Sequence, residues 1–157
     1  MKMLPFLFLF VCCLFSSTVR GQDANDFPDV RMAVPGDSNV ADPEILVVVS
    51  TDRRTLAAYS SRTSSWDKIT LPRALRKNEK PQLTAKFASI MVDNEAYAIS
   101  SKMCRWIRLK LPQGNKAYLG SWATNMVFVS DRDSVFVLGE NADKWTSFNA
   151  KTRAIQQ

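Results

Sequence analysis

A 40-residue internal repeat constrains this chain more than any other feature. Trp66, Leu71 and Pro72 recur as Trp106, Leu111 and Pro112, and the pair Ser60-Ser61 recurs as Ser100-Ser101, each at an offset of 40 residues. A third, looser copy places Trp145 39 residues after Trp106. In that copy Phe148 takes the place held by Ile69 and Leu109, and Ser130-Asp131-Arg132 the place of Thr51-Asp52-Arg53. A unit of this length is too small to bury its own apolar face, so neighbouring copies must stack.

Within each copy the pattern is that of β-structure. Ile45 to Val49 is a continuous run of β-branched residues and Leu, too short for a typical helix and suited to a strand buried on both faces. Thr51 to Arg54 turns the chain and Thr55 to Tyr59 returns. The third segment alternates, with Asp67, Ile69 and Leu71 on one row and Trp66, Lys68 and Thr70 on the other, and the same alternation recurs from Trp106 to Leu111. Period two with one polar row predicts a half-buried strand, and the Lys and Arg of that row suit a sheet edge. Trp66, Trp106 and Trp145, with Leu71 and Leu111, are the expected structural anchors of the repeats. Each Trp is expected to pack over the preceding turn or a neighbouring repeat, burying on the order of 200 Å². The second copy runs Ala88 to Val92, Asp93-Asn94, then Glu95 to Ile99, and Asn in a two-residue connection is a hairpin signal. The third has Met126 to Val129, a turn at residues 131–133, Ser134 to Leu138 and Trp145 to Ala150. Gln82 to Lys86 and Lys116 to Leu119 are candidate strands in the linkers, and nothing asks for a long helix.

The flanks point to export. Lys2 precedes an apolar run, Leu4 to Phe15, of signal-peptide length, and Ser16 to Gly21 is mostly small and polar, so residues 1–21 are expected to be a signal peptide. The run is too short to span a membrane. Residues 22–43, rich in Asp, Asn, Pro and Gly, read as a linker, and residues 44–157 as the repeat domain, with copies at about 45–86, 87–124 and 125–151. Removing 21 of the 157 residues leaves 136, and losing Lys2 and Arg20 takes the formal charge from +6 to +4. That charge names no nucleic-acid partner, and no membrane association is expected after cleavage. Of the three cysteines only Cys104 would survive, so stability must come from packing rather than an internal disulfide.

The succession of apolar strand, turn, a strand ending in Ala57-Ala58-Tyr59-Ser60-Ser61, then Thr63 and Trp66, then a strand closing in Leu71-Pro72, resembles a β-propeller blade. It is similar to kelch repeats, whose blades end in a Tyr, a turn, a Trp and Leu-Pro, and to the tryptophan-bearing repeats of quinoprotein-like propellers. The resemblance covers about residues 45 to 150 and implies an all-β chain of three propeller-like antiparallel repeats. The kelch double glycine is missing, and the quinoprotein Thr-Gly is here Thr63-Ser64, so neither family's functional residues carry over. Three blades would leave an open ring, since propellers have four to eight. Two chains joined in a six-bladed ring, a cap on a larger assembly, or a piece of a longer protein would each resolve this. A β-trefoil is the alternative fold, although the chain has five glycines and no Gln-x-Trp signature.

The chemistry is sparse. The chain contains no histidine, which removes Ser-His and Cys-His catalysis and the commonest transition-metal ligand. Ser65-Trp66-Asp67-Lys68 matches a Ser-x-x-Lys string, but it enters a strand, where residues three apart point to opposite faces. Asp131 and Asp133 lack the further ligands of a calcium loop and read as a hairpin turn. The basic segment Arg73, Arg76, Lys77, Lys80 and Lys86 is the candidate surface for an anionic ligand, and Cys104 is a candidate intermolecular thiol. No cofactor is expected. The expectation is a secreted, extracytoplasmic, non-catalytic module that binds a protein or an extracellular polymer, with homodimerisation as a route to ring closure. The alternatives are part of a propeller enzyme completed by another chain or further repeats, and a trefoil-like carbohydrate binder.

Overall fold

The computed structural model describes residues 43–112, 116–122 and 125–156. The expected signal peptide, and the linker apart from Pro43, lie outside the described residues. All regular structure among the described residues is antiparallel β, in three sheets and without a helix. The first sheet holds β1 (Ile45–Val49), β2 (Thr55–Ser60) and β3 (Ser65–Thr70). The second holds β4 (Gln82–Leu83), β5 (Phe87–Val92), β6 (Glu95–Ser100) and β7 (Ile107–Lys110). The third holds β8 (Tyr118–Trp122), β9 (Met126–Ser130), β10 (Ser134–Gly139), β11 (Thr146–Asn149) and β12 (Ala154–Gln156). Each sheet is a meander of consecutive strands, and no ladder joins one sheet to another or closes a barrel among the described residues. β4 pairs with β5 and β8 with β9, so each linker strand belongs to the sheet that follows it.

The repeat is written into the backbone as well as the sequence. Arg53 and Asp93, at φ 57° and 55°, adopt the left-handed conformation 40 residues apart, and so do Ser64 and Cys104, at φ 51° and 43°. In the two-residue connection between β5 and β6, Asp93 rather than Asn94 takes the positive φ. Asn94 is employed otherwise: its carbonyl accepts the Leu111 N–H at 2.8 Å and its Nδ2 donates to the Leu111 carbonyl at 3.0 Å. The first of these bonds recurs as Leu71 to Arg54, 2.7 Å, and Ala150 to Asp133, 2.8 Å, and fixes the end of each third strand to the hairpin before it.

Side chains alternate across each strand, so every sheet has two faces, and the pairing registers define them. One face of the first sheet carries Ile45, Val47, Val49, Leu56, Ala58 and Ile69, which pack against Ala88, Ile90, Val92, Tyr97, Ile99 and Trp106 of the second. The opposite face of the second sheet carries Phe87, Met91, Ala96, Ala98, Ile107 and Leu109, which pack against Val127, Val129, Phe136, Leu138 and Trp145 of the third. The same move is made twice: the face away from the tryptophan in one sheet covers the tryptophan face of the next. The second sheet is covered on both sides, which is why β6 is buried at every position. Leu71 and Leu111 are buried, one in each of these interfaces.

The repeated serine pair fastens the interfaces. Ser60 Oγ accepts the Thr63 N–H at 3.3 Å and donates to the Ser101 carbonyl at 2.5 Å, from the first sheet to the second. Ser100 Oγ accepts the Met103 N–H at 3.2 Å and donates to the Glu140 carbonyl at 2.9 Å, from the second sheet to the third. Both serines are buried, so losing either hydroxyl leaves a shielded carbonyl without its donor. S60A and S100A are each expected to lose about 1 to 2 kcal/mol of stability, by analogy with other unsatisfied buried acceptors. Urea unfolding at constant m-value checks this, and two variants as stable as the parent would show that the serines do not fasten the sheets.

Candidate functional site

The residues named from the sequence as a basic surface fall into two groups. Arg73 is committed internally: its guanidinium lies 2.7 Å from Glu79 and 2.8 Å from Asp93. The hydrogen bond from Arg73, reinforced by the Arg76 N–H, pulls the Glu79 carboxyl down to about 2, and the Arg73 guanidinium is held correspondingly above its ordinary range. Lys86 lies 3.2 Å from Glu140. Arg76, Lys77 and Lys80 are exposed on the loop between β3 and β4. The loop is anchored by Arg53, whose guanidinium donates to the carbonyls of Leu75 at 2.8 Å and Arg76 at 2.7 Å, and by Leu75, which is buried. Beside it an open groove of about 310 Å³ runs between Lys80, Met91 and Tyr118.

Two carboxylates serve the frame. Glu95, buried at the start of β6, accepts hydrogen bonds from the Tyr97 hydroxyl and the Arg108 guanidinium. These bonds, that of Tyr97 foremost, hold its carboxyl below the usual range, while burial, with Glu95 second, pushes the Tyr97 phenol up. Both groups belong to the interface between the first two sheets and answer each other's polarity. Glu140 receives Arg62 at 2.7 Å as well as Lys86, so one carboxylate ties the β2–β3 turn of the first sheet to the third sheet. Asp131 Oδ1 accepts the N–H groups of Asp133 at 3.0 Å and Ser134 at 2.7 Å, the bonding of an Asx turn.

Cys104 lies buried between the first and second sheets, its thiol donating to the Ser65 carbonyl at 3.2 Å. The three tryptophans of the repeats differ. Trp106 is 7% exposed; its backbone N–H donates to Asp67 at 2.7 Å, while its indole Nε1 is buried without a hydrogen-bond partner among the described residues. Trp145 is half-buried, with Nε1 on the Ile107 carbonyl at 3.4 Å. Trp66 is 57% exposed, because no sheet among the described residues lies on its face. Its ring rests at 5.2 Å from Tyr59, and with Ala57 and Lys68 it borders an open depression of about 450 Å³.

At the far end of the stack the outer face of the third sheet is also uncovered among the described residues. Phe148 is 44% and Ile155 71% exposed, and Tyr118, Met126 and Val135 share that face. Gly120 lets it form: a Cβ there would lie 2.7 Å from the Phe128 ring and 2.9 Å from Tyr118, whose rings sit 6.1 Å apart. Sequence alone did not mark these two faces as a site, although Phe148 at the place of Ile69 and Leu109 was the available signal. Among the described residues no cluster of three or more His, Cys, Asp or Glu could hold a metal ion. No protein-family model matches the chain, and no curated protein matches it either.

The Glu79 carboxyl titrates well below its ordinary 4.5, so it stabilises the folded chain above that value and the contribution disappears as pH falls towards about 2. E79Q is therefore expected to melt at a lower temperature than the parent at pH 7, with the gap narrowing between pH 4.5 and 2. A gap that does not change with pH, followed by calorimetry, would contradict the ion pair.

Proposed function

We propose that the chain is an exported, non-catalytic β-repeat of propeller-like blades whose work is to bind, through the uncovered faces at the two ends of its stack and the loops beside them. The observation that carries this reading is the pair of uncovered apolar faces, around Trp66 at one end and Phe148 at the other. Contiguous exposed apolar surface of this kind marks a place of association. The 40-residue period, the meander in each sheet and the absence of ladders between sheets among the described residues favour blades over a trefoil. The exposed Arg76, Lys77 and Lys80 offer a second, polar contact for an anionic protein or polymer beside the stack.

A second reading, that the chain supplies part of a propeller enzyme completed by another chain, is favoured by the same uncovered faces, since a segment of a larger ring would present them. The full chain expressed in a secreting host, held at submicromolar concentration, is expected to enhance the fluorescence of an apolar dye such as anilinonaphthalene sulfonate. The double variant V135D/F148D should bind several-fold less dye while keeping the parent far-UV spectrum. No dye enhancement in the parent at any concentration would contradict uncovered faces.

A further inference from the structure

We infer that the chain pairs head to tail with a second copy of itself, the Trp66 face of each copy covering the Phe148 face of the other, so that six sheets close into a ring. This deepens, and rests on, the reading of the chain as a binding module. The two uncovered faces are register equivalents of faces that the chain already packs together twice. On the outer face of the third sheet, Met126, Phe128, Val135, Val137 and Phe148 stand where the second sheet has Phe87, Ser89, Ala96, Ala98 and Leu109, the face it buries on the third. On the outer face of the first sheet, Leu46, Val48, Ala57, Tyr59 and Trp66 stand where the second has Ala88, Ile90, Tyr97, Ile99 and Trp106, the face it buries on the first.

A partner for one end must therefore present a tryptophan-bearing sheet face, and a partner for the other end must present a row of aliphatic and aromatic side chains. This chain carries both, at opposite ends of one stack, and within a single copy Trp66 and Phe148 remain exposed, so they do not meet each other. A second copy satisfies both ends at once, through two heterologous contacts that close if the rotation between sheets continues evenly. The contact between copies differs from those within a copy in one respect. Gly139 occupies the place of Ser60 and Ser100, so the third sheet has no serine to donate to the next. Pairing between copies is thus held by apolar contact without that hydrogen bond, and it is reversible. It needs no disulfide, because Cys104 is buried inside each copy.

Sedimentation velocity on the full chain from a secreting host tests this across a wide concentration range, with and without reductant. The expected result is a reversible dimer that ignores reductant. W66E and F148D, whose side chains are exposed, should each weaken pairing by about tenfold or more, with unchanged circular dichroism. Mixing the two variants should restore dimer, because the mixed pair keeps one intact contact formed by Trp66 of the F148D copy and Phe148 of the W66E copy. W66Q and V135D replace any variant that loses the parent spectrum. Three outcomes overturn the inference: a dimer broken by only one of the two substitutions, which indicates a symmetric contact; mixed variants that stay monomeric; or an open series of polymers, which excludes the closed pair. A parent that stays monomeric also overturns it, and the dye result separates the causes. If V135D/F148D still lowers dye binding, the faces are open to another partner and the binding-module reading stands; if no dye binds, both fall.

Discussion

Every sheet in this protein is too small to hide its own apolar residues, and the fold depends on one sheet face being covered by the next. Each sheet has only three to five short strands, and burial of side chains between the sheets supplies the driving force. The chain meets the requirement with a single interface used twice. Ile45, Leu56 and Ile69 stand to Ile90, Tyr97 and Trp106 as Phe87, Ala96 and Leu109 stand to Val129, Phe136 and Trp145. Polar fastening follows the same period, with Ser60 and Ser100 each bridging to the next sheet. The ion pairs around Glu140 join the third sheet to the first through Arg62 and to the second through Lys86, but such partly exposed pairs add little energy, so packing sets the arrangement and charge only decorates it.

An open stack made by one repeated interface ends in two half-interfaces, and here they are complementary by construction. Among the described residues no sheet lies on the Trp66 face or on the Phe148 face. Repeat proteins commonly blunt such ends with polar capping units. This chain leaves Trp66, Val135, Phe148 and Ile155 exposed instead. The buried carboxylate Glu95 and the paired Glu79 are consumed by the frame, whereas the end faces and the basic side chains of the β3–β4 loop are exposed.

Much of the fold was legible because it rests on local pattern. The apolar run at residues 45–49, the alternation from Trp66 to Leu71 and the Asp93-Asn94 connection each specify their element from within a few residues. The sheet membership of β4 was not, since Gln82 and Leu83 make only a two-residue strand whose partner is settled by the chain that follows. β12, Ala154–Gln156, carries no repeat signal because it falls beyond the third copy, which ends at about residue 151. The candidate surfaces were half legible. Lys77 and Lys80 are exposed, as basic loop residues should be, but no spacing rule announces that Arg73 is spent on Glu79 and Asp93. The three tryptophans read alike in sequence and differ in burial because exposure depends on whether a neighbouring sheet exists, which is a property of the stack and not of the repeat.

Hydroxyl-radical footprinting of the full chain, read by mass spectrometry at low and high protein concentration, tests the repeated interface most directly. Trp106 should resist oxidation at both concentrations, whereas Trp66 and Phe148 should react readily when dilute and become protected together as concentration rises. Equal reactivity of Trp66 and Trp106 at every concentration, or protection of one end face without the other, would contradict a stack whose two ends are halves of its own internal interface.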